Sequence, residues 1–259
     1  MSDFIDVNVN LSRWPFRRLP LDETRELVKK FREHDVKQAW AGTFDGLLHK
    51  DISSANARLA EECREHGRGI LIPFGSVNPT LPDWEEDLRR CHEVHKMNGV
   101  RLNPNYHNYK LNEPIFAKLL NALEKRGLIV QLAVSMEDRR SQHPLLQVPN
   151  VDLAPLPDLL KQFPKLKIVL LNALQYVNGQ LLLKLAATEQ ISFDIATLEG
   201  VGGIGKLIQQ IPARKILFSS NAPFFYYESA LLKMKESVID STNRDSILSG
   251  NAKELLRIS

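Results

Sequence analysis

Three polar residues alternate along the first apolar segment of the chain, at Asp6, Asn8 and Asn10. Alternate side chains of a β-strand share a face, so this spacing predicts that the three project together from one strand. Carboxyl and carboxamide groups gathered in this way could orient a polar ligand, bond to one another, or simply face solvent. The alternation assigns three aliphatic residues to the opposite face, namely Ile5, Val7 and Val9.

A second set of candidate residues lies in a long loop after a later apolar run. The loop, from Ser135 to Leu145, contains Glu137, Asp138 and His143. Carboxylate and imidazole groups are the ones that general acid-base catalysis uses near neutral pH. The alternative is a loop held to the surface by ion pairs with its two arginines, which contribute only about 0 to 1 kcal/mol each.

Residues suited to binding an anion follow the first predicted strand and lie on the fourth. Trp14 and Arg17 belong to an aromatic, arginine-rich segment that could hold an anionic or planar ligand, or could pack against the rim of the fold. Arg101 and Asn103 share a face by alternation, and an arginine directed into a protein interior needs an anionic partner. That partner is expected to be a ligand carboxylate or one of two internal carboxylates, Asp6 and Asp194.

Two further proton donors lie just beyond the fourth predicted strand. His107 and Tyr109 could take part in acid-base chemistry or donate hydrogen bonds to a substrate. A single histidine in a loop is more often structural, so a packing role for His107 stays open.

The composition is that of an ordinary globular protein and argues against several classes of function. Of the 259 residues, 43% are hydrophobic and 25% are charged, and a net charge of +3 without a basic run gives no reason to expect nucleic acid or membrane as a partner. Cys63 and Cys91 lack metal-ligand spacing and fit buried thiols in a reducing compartment. No leader-like or membrane-spanning segment is recognised, so we expect a cytoplasmic protein. The expected partner is a small molecule, and the aromatic run from Phe224 to Tyr227 is compatible with a homo-oligomer.

Short apolar runs alternate with helical patterns along the chain. This alternation is typical of a parallel sheet with crossover helices, and eight strands are the natural number for a closed barrel. We therefore predict a single α/β domain over residues 1–259, a (β/α)8 TIM barrel. An open doubly wound sheet is the alternative, but the spaced glycines that usually follow its first strand are missing. The predicted strands cover residues 4–10, 37–44, 69–77, 98–102, 128–134, 167–171, 191–195 and 215–219.

Five segments together resemble the amidohydrolase-related family of metal-dependent hydrolases and decarboxylases, whose members are distorted eight-stranded barrels. Each segment is modest by itself, but their order and their places on the predicted strands agree over nearly the whole chain. The resemblance implies a barrel of the metal-dependent hydrolase type. The segments are 5–10 (IDVNVN), 99–104 (GVRLNP), 163–172 (FPKLKIVLLN), 216–224 (ILFSSNAPF) and 250–256 (GNAKELL).

The metal-binding pattern of that family is replaced in this chain. The pattern is a His-x-His pair on the first strand, a histidine after the fifth, a histidine after the sixth and an aspartate after the eighth. Zinc binds thiolate, imidazole or carboxylate rather than neutral amides, so we expect neither a catalytic metal ion nor another cofactor. The matching positions hold Asn8, Asn10, Asn172 and Asn221, and the fifth-strand position holds Ala133, or Leu132 or Gln131 if the register is shifted.

Two functions from different classes remain in view. The leading one is a hydrolase or lyase that acts without a bound catalytic metal on a small polar substrate bearing a carboxylate. In it, Arg17 and Arg101 bind the anion and the asparagines orient the reacting group. The alternative is a non-catalytic barrel that binds a small ligand or a partner protein. The candidate catalytic residues are Glu137, Asp138, His107 and His143, and the candidate substrate-binding residues are Asn8, Asn10, Trp14, Arg17, Arg101, Asn103, Tyr109, Asn172, Asp194 and Asn221.

Overall fold

The strands lie close to where the sequence predicts them. The computed structural model describes residues 3–257, and the third predicted strand is divided into two short strands around Phe74. The strands are β1 (Phe4–Leu11), β2 (Val36–Thr43), β3 (Leu71–Pro73), β4 (Gly75–Ser76), β5 (Gly99–Leu102), β6 (Ile129–Ala133), β7 (Lys167–Leu171), β8 (Ile191–Asp194) and β9 (Ile216–Leu217).

The strands close into a parallel barrel with eight positions. They form two hydrogen-bonded sheets, β1 to β3 and β4 to β9, and the pairs within both sheets are parallel. Phe74 joins the sheets, because it separates β3 from β4 and donates its N–H to the carbonyl of Ala41 on β2 at 2.8 Å. The other seam is closed where the Val7 N–H donates to the carbonyl of Phe218 at 3.1 Å. The predicted (β/α)8 barrel is confirmed.

The helices follow the strands as the alternation predicts, with one extra turn, α2, after β2. Helix α1 buries Leu27 and Phe31 at helical spacing. It begins at Thr24 without a side-chain cap, and the nearby Asp22 carboxylate accepts hydrogen bonds from Arg18. Within residues 3–257, no helix is long and apolar enough to cross a membrane. The helices are α1 (Thr24–Glu33), α2 (Asp45–Leu48), α3 (Ile52–His66), α4 (Trp84–Arg89), α5 (Pro114–Glu124), α6 (Leu156–Leu159), α7 (Gly179–Ala187), α8 (Gly203–Ile208), α9 (Tyr227–Glu236), α10 (Ser241–Asp245) and α11 (Asn251–Arg257).

Apolar side chains fill part of the barrel and cover its outside. The inner cluster is drawn almost wholly from strands on all sides, so it occupies the interior, and the outer cluster joins the other strand faces to the helices. Because Ile5 and Val7 belong to the inner cluster and the asparagines of β1 come later, the interior is apolar toward the amino ends of the strands and polar toward the carboxyl ends. The inner cluster consists of Ile5, Val7, Trp40, Phe74, Ile129, Val169, Leu171, Leu217 and Ala252.

The register of β1 shifts in the middle of the strand. Asp6 pairs with Ala39 of β2 whereas Val9 pairs with Ala41, so three steps along β1 match two along β2. This is the geometry of a β-bulge, which bends a strand and changes which side chains share a face. The Asp6 carboxylate supports the bulge by accepting the N–H of Asn8 at 3.0 Å.

The bulge separates residues that simple alternation places together. Ile5 and Val7 pack in the inner cluster, and only Val9 packs outward, so the predicted outward face was wrong for the first two. Asp6 likewise does not line up with the asparagines that follow it. Its carboxylate accepts the hydroxyl of Ser220 at 2.5 Å, across the seam that closes the barrel. Strand alternation could not predict this, because it holds only while the register is regular.

Candidate functional site at the carboxyl ends of the strands

Four asparagine side chains converge at the polar end of the barrel interior. Asn8 Nδ2 donates to Asn172 Oδ1 at 2.9 Å, and Asn10 Nδ2 donates to Asn221 Oδ1 at 3.5 Å. The two pairs are joined through β1, and none of the four residues is more than 3% exposed. The convergence that the sequence predicts is confirmed. We call these four residues the asparagine cluster.

The backbone helps to hold the cluster in place. Asn172 follows β7 directly, and Asn221 lies in the loop after β9. Their φ angles of 57° and 56° are in the left-handed region that asparagine tolerates better than most residues. The Asn172 N–H donates to Asp194 Oδ1 at 2.8 Å, and its Nδ2 donates to the Ser135 carbonyl at 2.9 Å. The other carboxylate oxygen of Asp194 accepts from Asn8 at 2.8 Å. A single buried carboxylate therefore fixes two of the four asparagines.

A buried arginine crosses the interior to meet this cluster. Arg101 is on β5, yet its Nη1 donates to Asn10 Oδ1 at 2.6 Å and to the Val9 carbonyl at 3.0 Å on β1. Its Nε donates to Gln131 Oε1 at 2.9 Å, and its Nη2 donates to the Trp40 carbonyl at 3.3 Å. The guanidinium is thus held from three sides of the barrel and is only 3% exposed.

The charges around Arg101 are not arranged as the sequence analysis expected. The expected partner was a ligand carboxylate or one of the internal carboxylates Asp6 and Asp194, but in the structure amide and carbonyl oxygens take the place of an internal carboxylate. The reason is that Asp6 is engaged at the bulge and Asp194 by the asparagines. Burial raises the pKa of Asp6 to about 7 and also raises the pKa of Asp194. Burial lowers the pKa of Arg101 to about 9, so the guanidinium stays charged at neutral pH.

The donor set in the interior does not fit a divalent metal ion. Neutral amides stand where the resembling family has imidazole and carboxylate ligands, and the Oδ1 atoms of Asn172 and Asn221 already accept hydrogen bonds. A cation is also present, because Arg101 Nη1 lies 2.6 Å from Asn10 Oδ1. Repulsion between a guanidinium and a divalent ion ~4 Å away is about 8 kcal/mol at an effective dielectric constant of ~20. Within residues 3–257, no group of three or more His, Cys, Asp or Glu side chains is placed to hold a metal ion.

Aromatic side chains close the mouth of the barrel next to the asparagine cluster. The Trp14 ring lies 5.1 Å from Phe44 and 5.0 Å from Phe224, centroid to centroid, in edge-to-face contacts. Phe44 follows β2 and Phe224 follows β9. Both belong to a cluster that includes Ala133, at the end of β6 on the far side of the barrel. A cluster drawn from both sides must cross the mouth. We call Trp14, Phe16, Phe44 and Phe224 the aromatic lid.

Two residues of β6 were candidates for the position at which the resembling family has a histidine after the fifth predicted strand, and they lie in different surroundings. Ala133, the first choice from the sequence, packs against the aromatic lid. Gln131, the shifted alternative, enters the polar network, because its Nε2 donates to the Val7 carbonyl at 2.6 Å while its Oε1 accepts from Arg101. The polar contribution of β6 therefore comes from Gln131.

A cavity opens beside the aromatic lid. It has a volume of about 580 Å³ and lies between the carboxyl ends of β6, β7 and β8 and helix α9, which is large enough for a small organic molecule. We call it the rim cavity. Its polar lining includes Glu137, Asp138, Thr197, Glu199, Lys233 and Glu236.

An arginine-carboxylate pair connects the rim cavity with the aromatic lid. Arg17 Nη1 lies 2.5 Å from Glu137 Oε2, and Ser141 Oγ donates to the same oxygen at 3.4 Å. The Glu137 side chain is 4% exposed, whereas the Arg17 side chain is 40% exposed. The Arg17 guanidinium also lies over the Phe224 ring, 5.9 Å from its centroid. The carboxylate is therefore part of the cavity wall, and its cation can be reached from solvent.

The neighbouring carboxylate is held differently. Asp138 accepts from the Arg140 guanidinium at 2.7 and 3.0 Å and from the Arg140 N–H at 2.8 Å. These hydrogen bonds hold the pKa of Asp138 well below its usual range. A carboxylate that stays ionised and bonded in this way is poorly suited to carry a proton.

Lys233 and Thr197 are among the rim-cavity residues that were not singled out from the sequence. Lys233 on α9 donates its Nζ to the carbonyls of Ile195, at 3.2 Å, and Ala196, and burial lowers the pKa of its ammonium group. Thr197 is 8% exposed, and its hydroxyl has no hydrogen-bond partner. No local pattern marks either residue, because the cavity forms only when α9 packs beside the end of β8.

A third overlooked residue did carry a signal. A Cβ atom at Gly42 on β2 would lie 2.8 Å from Arg101 Cζ. An isolated glycine inside a strand is typical of a close approach by another group. Gly42 therefore provides the space that the guanidinium occupies.

His107 and Tyr109 lie in the packed interior rather than on the rim cavity. His107 Nε2 lies 2.8 Å from the Gly46 carbonyl, and burial lowers the pKa of the imidazole. Tyr109 is 2% exposed and stacks on Phe116 with ring centroids 6.0 Å apart, and burial raises its pKa. Both placements reflect the short turn after β5, which directs these side chains into the fold.

The last two candidates, Asn103 and His143, differ in exposure. Asn103 is 2% exposed, and its backbone carbonyl accepts the His107 N–H at 3.0 Å. His143 is exposed and stacks on Phe16 with ring centroids 5.7 Å apart. The structure therefore brings Glu137 and Asp138 to the rim cavity and leaves His143 outside its lining.

Comparison with known proteins gives one family and many solved structures of the same fold. The family model described as Amidohydrolase matches residues 15–258. No curated protein sequence matches the chain.

The solved structures that match include several decarboxylases. The 2,6-dihydroxybenzoate decarboxylase from Rhizobium is 16% identical with a TM-score of 0.73, and the match covers 99% of this chain and 98% of that one. The 5-carboxyvanillate decarboxylase from Sphingomonas paucimobilis is 15% identical with a TM-score of 0.77, and both chains are covered completely. A dihydroxybenzoic acid decarboxylase from Polaromonas sp. JS666, solved with bound manganese, is 15% identical with a TM-score of 0.73 over 100% of this chain and 98% of that one. At these identities the likeness establishes the fold.

Proposed function

Because the chain belongs to the amidohydrolase family, we propose that it acts as a hydrolase or lyase on a small carboxylate-bearing molecule in the rim cavity, without a catalytic metal ion. The names of two similar structures, decarboxylases of 2,6-dihydroxybenzoate and 5-carboxyvanillate, support the lyase form of this proposal. The neutral amides and the guanidinium of the interior support a reaction that takes place elsewhere than at a metal site.

The observation that carries the proposal is the pair formed by Arg17 and Glu137. A carboxylate on a ligand can replace Glu137 as the partner of Arg17, since guanidinium groups bind carboxylates in two-point contacts and this one is accessible from solvent. The Phe224 ring beneath the guanidinium gives an aromatic ligand a surface to pack on. The exchange leaves Glu137 buried in the cavity wall without its cation.

Released from its cation, the Glu137 carboxyl can serve as a general acid toward the bound ligand. In a decarboxylation, its proton forms the new C–H bond at the carbon that carries the carboxylate. The C–C bond to that carboxylate breaks, CO2 leaves, its bonding electrons return to the ring, and Glu137 recovers a proton from solvent.

The test is turnover of small carboxylates by purified protein in the presence of EDTA. The probe panel starts with 2,6-dihydroxybenzoate and 5-carboxyvanillate and is extended to other small aromatic and aliphatic carboxylates, with consumption followed by liquid chromatography and mass spectrometry. We expect at least one to be consumed, and we expect Glu137→Gln to lower the rate at least about 100-fold. Arg17→Gln should mainly raise KM, since it removes the anion partner.

Asp22→Asn is the matched control for these variants. It breaks the Arg18–Asp22 pair, whose carboxylate is also 4% exposed and whose arginine is also accessible, but which lies at another site. Turnover should be unchanged in this control. Consumption that appears only after a divalent metal is added would overturn the proposal.

One observation favours a second candidate, a non-catalytic barrel that binds a ligand. The asparagine cluster bonds to itself, to Asp194 and to Arg101, and all four residues are at most 3% exposed. An interior whose asparagines are held by one another and by buried charged groups is what a binding or scaffolding protein would retain. A carboxylate that raises the melting temperature of the chain and depends on Arg17, with no consumption of any panel member, would establish this second function in place of the first.

A further inference from the structure

Arg101 lies in the barrel interior, outside the lining of the rim cavity. Its side chain starts on β5 and ends on β1 and β2, so it passes through the centre of the interior, between the inner apolar cluster and the asparagine cluster. Gly42 leaves the space that it fills, and a Cβ atom there would lie 2.8 Å from three atoms of the Arg101 side chain. The barrel interior therefore accommodates a positively charged side chain between the two clusters.

The hydrogen bonds of the guanidinium show that the cation is fixed. Four contacts, to Asn10, Gln131 and the carbonyls of Val9 and Trp40, hold its three nitrogens. Gln131 is itself oriented by its donation to the Val7 carbonyl at 2.6 Å. A side chain held at every nitrogen cannot swing aside to admit another cation without breaking several buried hydrogen bonds.

The charges in the interior are matched to a single positive group. Asp6 and Asp194 are both completely buried, and each acts electrostatically on Arg101 without touching it. We infer that Arg101 is a permanent internal cation, which supplies the positive charge of a lost metal centre and excludes a divalent ion from the asparagine cluster. The amides then form a matched set with the arginine: Asn10 accepts from it, and neutral side chains at the other positions add no further charge.

Restoring metal binding to this chain should require two kinds of change rather than one. If the asparagines alone account for the loss of metal binding, restoring ligands should restore it. If Arg101 excludes the metal ion, restored ligands should bind metal only after the guanidinium is also removed. The claim concerns the interior and does not depend on whether the rim cavity is catalytic.

The experiment compares two multiple variants. The first carries Asn8→His, Asn10→His and Asn221→Asp with Arg101 kept, and the second adds Arg101→Met. Each is incubated with excess zinc sulfate and passed through a desalting column, and zinc per chain is measured by mass spectrometry, with cobalt absorption bands as a check on ligand geometry. We expect about one ion per chain in the second variant and at least ~10-fold weaker binding in the first.

Two further variants keep the test decisive if Arg101→Met does not fold. Arg101→Gln on the same triple background removes the charge but keeps a hydrogen-bonding side chain, and should bind zinc. Arg101→Lys keeps a positive charge and should not. If none of these folds, the triple variant with Arg101 kept decides: it should hold no zinc after desalting, and about one zinc ion per chain would overturn the inference.

Equal zinc binding by the triple variant with and without Arg101 would overturn the inference. So would stoichiometric zinc or manganese in the unaltered chain. These results are separate from the test of the proposed function, since a chain that fails to consume any carboxylate can still exclude metal through Arg101.

Discussion

Two regions at the same end of the barrel differ sharply in how their polar groups are satisfied. In the interior, the asparagine cluster, Asp194 and Arg101 bond to one another and to the backbone, and solvent hardly reaches them. In the rim cavity, by contrast, Glu137 depends on a cation that solvent can reach. The first region is closed in one arrangement, whereas the second can exchange its partners.

The difference shows how one barrel can combine a fixed polar centre with an exchangeable rim. Buried polar groups must be satisfied, so the four asparagines have to bond to each other, to the backbone or to an internal charge. Because of this requirement, the hydrogen bonds of the interior contribute to the free energy of unfolding. Exchangeable groups can survive only where desolvation is partial, at the rim. We therefore expect changes in the interior to act mainly on the free energy of unfolding, and changes at the rim mainly on ligands.

The most damaging change to the interior should be Arg101→Met. It leaves the acceptors of Asn10 and Gln131 buried without their donor and removes the cation opposite Asp6 and Asp194. Breaking a buried charge network from one side costs about 5 kcal/mol of unfolding free energy. Urea unfolding followed by circular dichroism measures this loss.

The exposed Arg139→Met is the matched control for that variant. Its guanidinium is at the surface of the loop after β6, so the free energy of unfolding should change by less than about 0.5 kcal/mol. A loss below about 1 kcal/mol for Arg101→Met would show that the interior network is not stabilising and would remove the contrast between the two regions.

The pH dependence of stability should show the buried carboxyl of the interior. Burial raises the pKa of Asp6 from 3.8 to about 7, so the folded chain keeps a proton that the unfolded chain has lost between these values. The stabilising contribution is then complete below the unfolded pKa and is lost as the pH rises through the folded pKa. Between pH ~5 and pH ~8 we expect a loss of about 3 kcal/mol that Asp6→Asn abolishes. Urea unfolding measures the free energy of unfolding of both proteins across this pH range. An equal dependence of that free energy on pH in the two proteins would contradict the expectation.

A smaller effect is expected at Gly42, which makes room for the guanidinium. In Gly42→Ala the new Cβ atom would lie 2.8 Å from Arg101 Cζ, so the guanidinium must shift and weaken its hydrogen bonds. Overpacking of this kind costs about 2 kcal/mol of unfolding free energy. Gly250→Ala is the control, because its nearest neighbouring atom would be 3.5 Å away. Equal stability of the two variants would mean that the guanidinium is free to move.

The sequence predicts the barrel and the meeting of the asparagines better than it predicts their partners. Alternation of strands and helices is a local pattern, and residues after parallel strands must meet at one end of the barrel, so Asn172 and Asn221 could be placed without a structure. The bulge at Asp6 could not, because a register shift depends on the partner strand. Arg101 was expected to meet a carboxylate, since nothing in the sequence reveals that the carbonyls of Val9 and Trp40 lie within its reach.

The rim cavity was predicted only in part, for a related reason. Glu137 and Asp138 were recognisable because a charged loop after a strand is a common place for function. Lys233 was not, because it reaches the cavity from a helix far along the chain. Side chains that meet through packing of distant elements leave no spacing in the sequence.

The smallest effect on stability is expected at the rim, where the effect on ligands should be largest. Glu137→Gln removes an ion pair whose arginine is 40% exposed, and the amide can still accept a hydrogen bond from it. Partly exposed pairs contribute about 0 to 1 kcal/mol, so the free energy of unfolding should fall by less than about 1 kcal/mol. A carboxylate ligand that stabilises the unaltered chain against thermal unfolding should still bind the variant, since Arg17 is then released from competition. A loss of stability as large as that of Arg101→Met would instead place Glu137 with the interior network, and the distinction between a fixed centre and an exchangeable rim would fail.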